Sequence, residues 1–390
     1  MPASHPSTAA CPGGSPQPLP RDHVGATFPR LVDPSSPPVP AACYGCNMSR
    51  EPSPEVVPAG GRLLLGLAVS AGALALVATL LDLDRVVASF LAARPVMLLA
   101  ALPLVVTSLL TRARAWQLLL SAPVPLATAF AAVNQGYLVN TLLPLRLGDP
   151  ARALILARDA SLPVLRVLPT VVVERALDVA FALTLLLAGA GALGAQVSGR
   201  LSTSAVALAL VPFQLAAVAL AVALASRHRA GLVARLSSPR GPLRALRLQL
   251  AEALAGLAVL EHPGRFARAA VWLGCTWLQA VAIYWLCLAA FVPGPDPLHV
   301  AFGLGVAAFG VALPSSPAGI GVVEAAWTGA LGLVGVDQEA AFAFAVTSHL
   351  LVAAVPVALG GWALARRGVS LGDLYRRLRR AAPTSGGANA

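Results

Sequence analysis

Polar and charged side chains interrupt an apolar stretch at residues 136–152 of this sequence. Asn140, Arg146, Asp149 and Arg152 all lie within it. Backbone N–H and C=O groups without hydrogen-bond partners cannot face lipid, so such a break is tolerated only inside protein or beside a water-filled cavity. Arginine binds phosphate through a planar fork of N–H groups, so Arg146 and Arg152 are predicted to clamp an anion, helped by Asn140 and Asp149. The alternative is that both arginines only reach the lipid head groups as topology anchors.

Pro144 and Gly148 form the break, and a new helix is predicted to begin just after it. Asp149 followed by Pro150 is typical of a helix start, with Asp as the N-cap and Pro at the first helical position. The free N–H groups and the positive dipole end of that helix would also favour an anion.

Three ionisable residues, Glu174, Arg175 and Asp178, begin the apolar run 168–188. Such groups are costly in lipid, so they should face protein or water and pair with one another. Glu174 and Asp178 are four residues apart and share a helix face. Two interpretations remain open: an internal salt bridge that locks helices together, or a direct role in binding.

A second break separates two short apolar segments, 298–313 and 322–334. Segments of this length are better explained as re-entrant half-helices than as full crossings. Glu324 follows this break and either caps the second half-helix or forms a proton or head-group site. His349, near the middle of the run 340–364, either bonds to a neighbouring helix or has a function. The helix-breaking residues here are Pro314, Pro317, Gly319 and Gly321.

The composition predicts an all-α, polytopic membrane helix bundle of about seven to nine hydrophobic segments. The mean hydropathy is +0.76, and only 12% of the residues are charged. The net charge of +11 comes from arginines in the connections and the C-terminal tail, which is the positive-inside pattern of a plasma-membrane protein with a cytoplasmic C-terminus. Nucleic acid is therefore not a predicted partner.

Catalytic chemistry of the common types has no signature in this sequence. There is no lysine, no GxSxG elbow and no HExxH motif, so a Walker A loop and a lysine Schiff base are excluded. Cys43 and Cys46 form a lone CxxC without a second pair. We therefore expect no metal and no cofactor.

The chain divides into three parts by composition. Residues 1–61 are rich in Pro and Ser and are predicted to be disordered, with Met48 as an alternative start. Residues 62–365 form the transmembrane domain, and residues 366–390 form a basic cytoplasmic tail.

Several apolar runs within the transmembrane domain are predicted to be complete spans. These include 63–81, 96–111, 205–225 and 269–291. Arg112, Arg114 and Trp116 follow the second span and are interpreted as an interface anchor, and the tryptophans of 269–291 as packing or belt residues. Leucines at helical spacing in 243–257 predict an amphipathic helix, either on the anionic cytoplasmic leaflet or as a solvated linker.

The two breaks share a Leu-Pro-x3-4-Gly pattern, at 143–148 and 313–319. Interrupted segments at corresponding positions of two halves indicate repeats around a binding site near the membrane midplane. The bundle is therefore predicted to have inverted-repeat character.

Three ordered motifs carry a resemblance to a known family. They read Asn-x-x-Leu-Pro-x-Arg-x-Gly-Asp-x-x-Arg at 140–152, Glu-Arg-x-x-Asp at 174–178, and Leu-Pro-x-Ser-Pro-x-Gly-x-Gly-x-x-Glu at 313–324. Over residues 62–365 the chain resembles the flippase-like transmembrane domain of lysylphosphatidylglycerol synthases, the N-terminal half of the multiple peptide resistance factor. Members of that family usually carry Glu where Asp149 stands, and often Gly where Ala318 stands.

The resemblance implies a transporter-like protein that translocates or binds an anionic phospholipid or a polyprenyl-phosphate-type lipid. Membrane lipids with an anionic head group are then the expected partners. The aminoacyl-transferase domain of the fused relatives is not in this sequence, so lipid aminoacylation is not implied. The alternative is a membrane glycosyl- or phosphotransferase, or an accessory protein, that acts with lipid-linked substrates.

Overall fold

Eleven α-helices make up the described part of the chain, and that part contains no strand. The computed structural model describes residues 59–79, 81–120, 122–143, 147–198, 244–258, 262–310 and 316–366, with Gly368 and Gly372. The predicted all-α fold is confirmed. The helices are α1 (Ala59–Ala78), α2 (Leu83–Leu91), α3 (Pro95–Leu119), α4 (Leu126–Leu142), α5 (Gly148–Asp159), α6 (Val164–Ser198), α7 (Arg244–Gly256), α8 (Pro263–Ala289), α9 (Pro297–Gly310), α10 (Val322–Leu333) and α11 (Gln338–Arg366).

Three of the described helices, α3, α8 and α11, are long and apolar enough to cross a membrane. Residues 67–78 of α1 and the helix α2 add a fourth span if they are counted together, although they meet at 90°. This count does not confirm seven to nine segments. The predicted span at 205–225, like most of the tail regions 1–61 and 366–390, lies outside the described residues.

Helix α3 extends further than the predicted span 96–111. It continues to Leu119, so Arg112 and Trp116 lie inside the helix rather than in a connection after it. Arg112 is 8% exposed and Trp116 is fully buried. Their interpretation as an interface anchor is therefore wrong, because both side chains face the bundle and find polar partners there.

Helices α3 and α8 run antiparallel and lie in contact near both ends and at mid-length. At one end, the backbone N–H of Arg94, just before α3, donates to the carbonyl of Ala290, just after α8, at 2.9 Å. At mid-length the hydroxyls of Thr111 and Thr276 lie 2.8 Å apart. At the other end, the Arg265 guanidinium bonds to the Leu120 carbonyl.

Two pairs of short helices lie between longer ones. The pair α4 and α5 has 17 and 12 residues, and the pair α9 and α10 has 14 and 12 residues. At 1.5 Å per residue, the shortest reach only about 18 Å, well below a hydrocarbon core of about 30 Å. The bounds of α9 and α10 agree with the predicted segments 298–313 and 322–334.

The helix order long, short, short, long therefore occurs twice, as α3 to α6 and as α8 to α11. The first short helix of each set packs against the last long helix of the other, α4 on α11 and α9 on α6. Small residues permit both approaches, as is usual in membrane bundles. A Cβ on Gly360 would lie 2.6 Å from the Asn134 carbonyl oxygen, and one on Gly305 would lie 2.7 Å from Leu186 Cα.

The amphipathic segment 243–257 forms the helix α7, as predicted. It packs against α6 so closely that a Cβ on Gly256 would lie 2.2 Å from the Arg166 carbonyl oxygen. Leu250 remains 46% exposed. Its location at the lipid surface stays a prediction.

Candidate functional site

Two carboxylates of α6, Glu174 and Asp178, form the centre of a buried polar site. Glu174 is fully buried, and Asp178 is 7% exposed. Arg112 of α3 binds both carboxylates: its Nη1 donates to Glu174 Oε1 at 2.6 Å and to Asp178 Oδ2 at 3.0 Å. Its Nη2 donates to Asp178 Oδ1 at 3.0 Å, which completes a bidentate pair.

Arg152 of α5 reaches the same centre from the other side. Its Nη1 donates to the two carboxylate oxygens of Glu174 at 3.2 and 3.0 Å. The guanidinium carbon lies 4.8 Å from the centre of the Trp116 ring, a cation–π contact. The residue is only 3% exposed, which contradicts the alternative that Arg152 is a topology anchor in the lipid head groups.

Arg175 is the outermost guanidinium of the site, with a side chain that is 42% exposed. Its Nη2 lies 3.2 Å from Asp149 Oδ1, and its Nη1 lies 3.0 Å from Asp178 Oδ2. Asp149 also lies 3.3 Å from the Nε of Arg152. Asp149 therefore joins the exposed arginine to the buried one.

These six side chains form one connected set, hereafter the arginine–carboxylate network. Its three positive and three negative groups balance one another. The cost of burying so many charges is offset only by pairing of this kind. Glu174, Arg175 and Asp178 do form internal ion pairs, and a direct role in binding stays a prediction. The members are Arg112, Arg152, Arg175, Asp149, Glu174 and Asp178.

Sequence reasoning missed two residues of this site, Arg112 and Trp277. The indole Nε1 of Trp277, on α8, donates to Asp178 Oδ1 at 2.9 Å. Arg112 follows an apolar run without a break, and that continuity was the available signal that it lies within the helix. Nothing in the spacing of the α8 tryptophans distinguishes Trp277 from a packing residue.

The first break positions the start of α5. The helix begins at Gly148, and the residue before it, Leu147, is its N-cap, so the predicted N-cap role of Asp149 is wrong. Asn140 Oδ1 accepts the Gly148 N–H at 2.6 Å, and this amide therefore caps α5 instead. A Cβ on Gly148 would lie 2.1 Å from the Gly136 carbonyl oxygen, which explains the glycine. Pro144 and Arg146 lie outside the described residues.

Several guanidinium N–H groups in the network lack a hydrogen-bond partner among the described residues. They are Nε and Nη2 of Arg152 and Nε of Arg175. The approach of Arg152 Nε to Asp149 is close enough for an ion pair but lacks hydrogen-bond geometry. Buried donors of this kind are rare, because each costs about 1–3 kcal/mol when left unsatisfied.

The second break holds a separate contact between a histidine and a carboxylate. His349 Nδ1 lies 2.7 Å from Glu324 Oε1, and His349 Nε2 lies 3.2 Å from the Ala318 carbonyl oxygen. Glu324 Oε2 accepts the Gly321 N–H at 2.5 Å. Glu324 therefore caps α10 and His349 bonds to a neighbouring helix, and the functional role predicted as the alternative for each residue stays a prediction.

The turn at the second break has an unusual backbone. Ala318 has φ 62°, a left-handed conformation that costs energy in a residue with a Cβ. Pro317 and Gly319 belong to the same short 3-10 turn, and Gly321 follows it with φ 92°. Pro314 lies outside the described residues.

The predicted site residues therefore form two sets. No hydrogen bond or ion pair observed between described residues connects the arginine–carboxylate network to Glu324 and His349. In the same ranges of the chain, no three His, Cys, Asp or Glu side chains are grouped so that they would hold a metal ion.

Comparison with known proteins agrees with the three sequence motifs. No curated protein matches the chain. The family described as "Lysylphosphatidylglycerol synthase TM region" matches residues 63–360, about three quarters of the sequence. This range includes both breaks and every member of the arginine–carboxylate network. The chain is an integral membrane protein and belongs to the family of lysylphosphatidylglycerol synthase transmembrane regions.

Proposed function

We propose that this protein translocates a lipid with an anionic head group, which binds at the arginine–carboxylate network. The observation that carries the proposal is the unsatisfied N–H groups of Arg152 and Arg175 beside a helix break. Charged groups within a membrane domain generally line a substrate or ion pathway. A phosphate group would supply the acceptors that these N–H groups lack.

Arg175 is the member of the network that a head group would meet first. It is 42% exposed, whereas Arg112 and Arg152 are almost fully buried. Asp149 now occupies one face of Arg175, at 3.2 Å. The charges of the network already balance. An arriving phosphate would therefore compete with Asp149 for Arg175 and for the Nε of Arg152, which has no hydrogen-bond partner among the described residues.

The helix order supports an inverted repeat with two re-entrant hairpins. If α3 to α6 corresponds to α8 to α11, the antiparallel contact of α3 with α8 requires a two-fold axis perpendicular to both helices. Such an axis lies in the membrane plane, so the hairpins α4–α5 and α9–α10 would enter from opposite faces. Access to the lipid from alternate faces is then possible.

The distribution of arginines orients this arrangement in the plasma membrane. The C-terminal end of α3 and the N-terminal end of α8 carry Arg114, Arg265 and Arg268, and this excess of positive charge supports a cytoplasmic location for this end of the bundle. The hairpin α4–α5 then opens to the cytoplasm and α9–α10 to the outside. The C-terminal end of α11 is cytoplasmic.

Transport of fluorescent lipids in proteoliposomes tests this function. Parallel vesicles would carry a labelled anionic phospholipid, a zwitterionic phospholipid or a polyprenyl phosphate, and a membrane-impermeant quencher would report the exchange between leaflets. We expect faster exchange of the anionic phospholipid or of the polyprenyl phosphate than in protein-free vesicles. Equal rates with and without protein for all three would contradict the proposal.

A pair of conservative variants tests the site. Arg175→Lys keeps the charge but loses the fork, and a charged hydrogen bond worth about 1.5–3 kcal/mol corresponds to a loss of roughly 10- to 100-fold in rate. Arg114→Lys, outside the network, should move lipid as fast as the parent.

Mass spectrometry of the lipid after the transport experiment examines the transferase alternative, since a chemically altered lipid would indicate an enzyme.

A further inference from the structure

His349 lies between two hydrogen-bond acceptors. Its Nδ1 faces the Glu324 carboxylate at 2.7 Å, and its Nε2 faces the Ala318 carbonyl at 3.2 Å. A neutral imidazole carries one N–H and would leave one of these contacts without a proton. The doubly protonated ring donates to both, and its charge is balanced by Glu324. The geometry therefore accommodates a bound proton.

The surroundings provide no competing partner for this proton. Glu324 is the one charged side chain found in contact with His349 in the described ranges. The helices packed against α11 are α2, α3, α4, α8 and α10, and α4 contributes only the titratable group Tyr137. Arg112 on α3 is already bound by carboxylates of α6. The other titratable or charged groups on α11 and these helices are Asp84, Arg85, Arg114, Arg265, Arg268, Cys275, Tyr284, Cys287, Glu339 and Arg366.

We infer that His349 and Glu324 form a proton-binding site that fastens the turn from Ala318 to Gly321 to α11, and that release of the proton loosens this turn. Its coupling to lipid movement rests on the proposed function, whereas proton binding itself does not. The proton would leave a ring nitrogen of His349 for water, since the side chain is 17% exposed.

The bound proton connects the parts of the turn that would move. Glu324 caps Gly321, and the protonated ring connects this carboxylate to Ala318, whose left-handed conformation needs support from its neighbours. The turn also contacts α1, because the Ser316 N–H donates to Ser70 Oγ at 3.0 Å. Loss of one ring proton removes one of the two bonds of His349. The segment from Ala318 to Gly321 is then less firmly held.

Nitrogen NMR of the histidine ring in nanodiscs tests proton binding directly. The signal of His349 is assigned by its absence in His349→Gln. The pH is varied between about 5 and 8, and we expect to observe a state in which both ring nitrogens carry a proton. Glu324→Gln should lose the doubly protonated signal. A ring with a single proton throughout this range would overturn the proposal.

A pH gradient across proteoliposomes tests whether proton binding at His349 is coupled to lipid transport. We expect the rate of labelled-lipid transport to differ between gradients of opposite direction by about 5- to 150-fold, the usual range of coupling between two sites. His349→Gln should abolish the difference, and His299→Gln, a matched histidine on α9, should retain it. Transport at equal rates under both gradients would overturn the coupling. If no lipid moves at all, the proposed function fails, and NMR still decides the proton site.

Discussion

Arg175 and His349 have the same position in two long helices and pair with similar partners. Each is the twelfth residue of a long helix, counted from Val164 in α6 and from Gln338 in α11. Each pairs with an acid in the first turn of the preceding short helix, Arg175 with Asp149 at 3.2 Å and His349 with Glu324 at 2.7 Å.

The two residues differ in chemistry despite this shared position. Arginine stays charged at any physiological pH, whereas histidine changes its charge in the neutral range. The contact between α6 and α5 therefore includes a permanent cation, suited to a phosphate, and the contact between α11 and α10 includes a side chain whose charge depends on a proton. Several measurements on single residues examine the parts of this arrangement.

The first prediction concerns the buried charges. Arg112→Ala leaves Glu174 and Asp178 without their main partner, and breaking a buried pair in this way costs about 3–5 kcal/mol. Arg114→Ala, two residues later on α3, removes only a contact to Gln117 and should cost far less. Denaturant unfolding in detergent compares the two variants. Equal stability would contradict the role of Arg112 in the network.

The second prediction concerns the close approach at the first break. Gly148→Ala places a Cβ 2.1 Å from the Gly136 carbonyl oxygen, and the resulting overpacking should cost about 1–3 kcal/mol. Gly329→Ala is the control, because a Cβ there meets nothing within 4 Å and alanine favours the helix by about 1 kcal/mol. In thermal unfolding, we expect a lower midpoint temperature than that of the parent for Gly148→Ala and not for Gly329→Ala. A Gly148→Ala protein as stable as Gly329→Ala would show that α5 can move away from α4.

A third prediction concerns the indole that supports Asp178. Trp277→Phe removes an N–H bond to a carboxylate, and such a bond contributes about 1.5–3 kcal/mol. Trp272→Phe, on the same helix and 39% exposed, should leave stability almost unchanged. Denaturant unfolding of both variants under the same conditions measures the difference in their free energies of unfolding. Identical losses would mean that the two indoles contribute only by packing.

The orientation of the bundle gives a fourth prediction. Pro123→Cys and Pro163→Cys should resist an impermeant maleimide in whole cells, whereas Pro293→Cys should react. All three positions are exposed, and the native cysteines would first be replaced by alanine. Protection of 123 and 163 together is expected if α4 and α5 form a hairpin that enters from the cytoplasm. Labelling of only one of them would favour a complete crossing.

Much of this architecture is apparent from the sequence because lipid imposes strict rules on it. Long apolar runs must be helices, and a Pro or Gly with charges inside such a run must lie in protein or beside water. These rules locate the two short-helix pairs, the ionisable turn of α6 and the capping role of Glu324. These rules do not locate helix ends. Helix α3 extends past residue 111, and α5 starts at Gly148 rather than after Asp149.

The choice of partners was decided by the tertiary structure. Glu174 is 62 residues from Arg112 in the chain, and Asp178 is 99 residues from Trp277. Helical spacing shows which face a side chain occupies but not which helix packs against that face. A buried charge must find a counter-charge, and many arginines in this sequence would serve. The crossing of α3, α5 and α8 on α6 selects among them, because only the side chains brought within hydrogen-bond distance can neutralise those carboxylates.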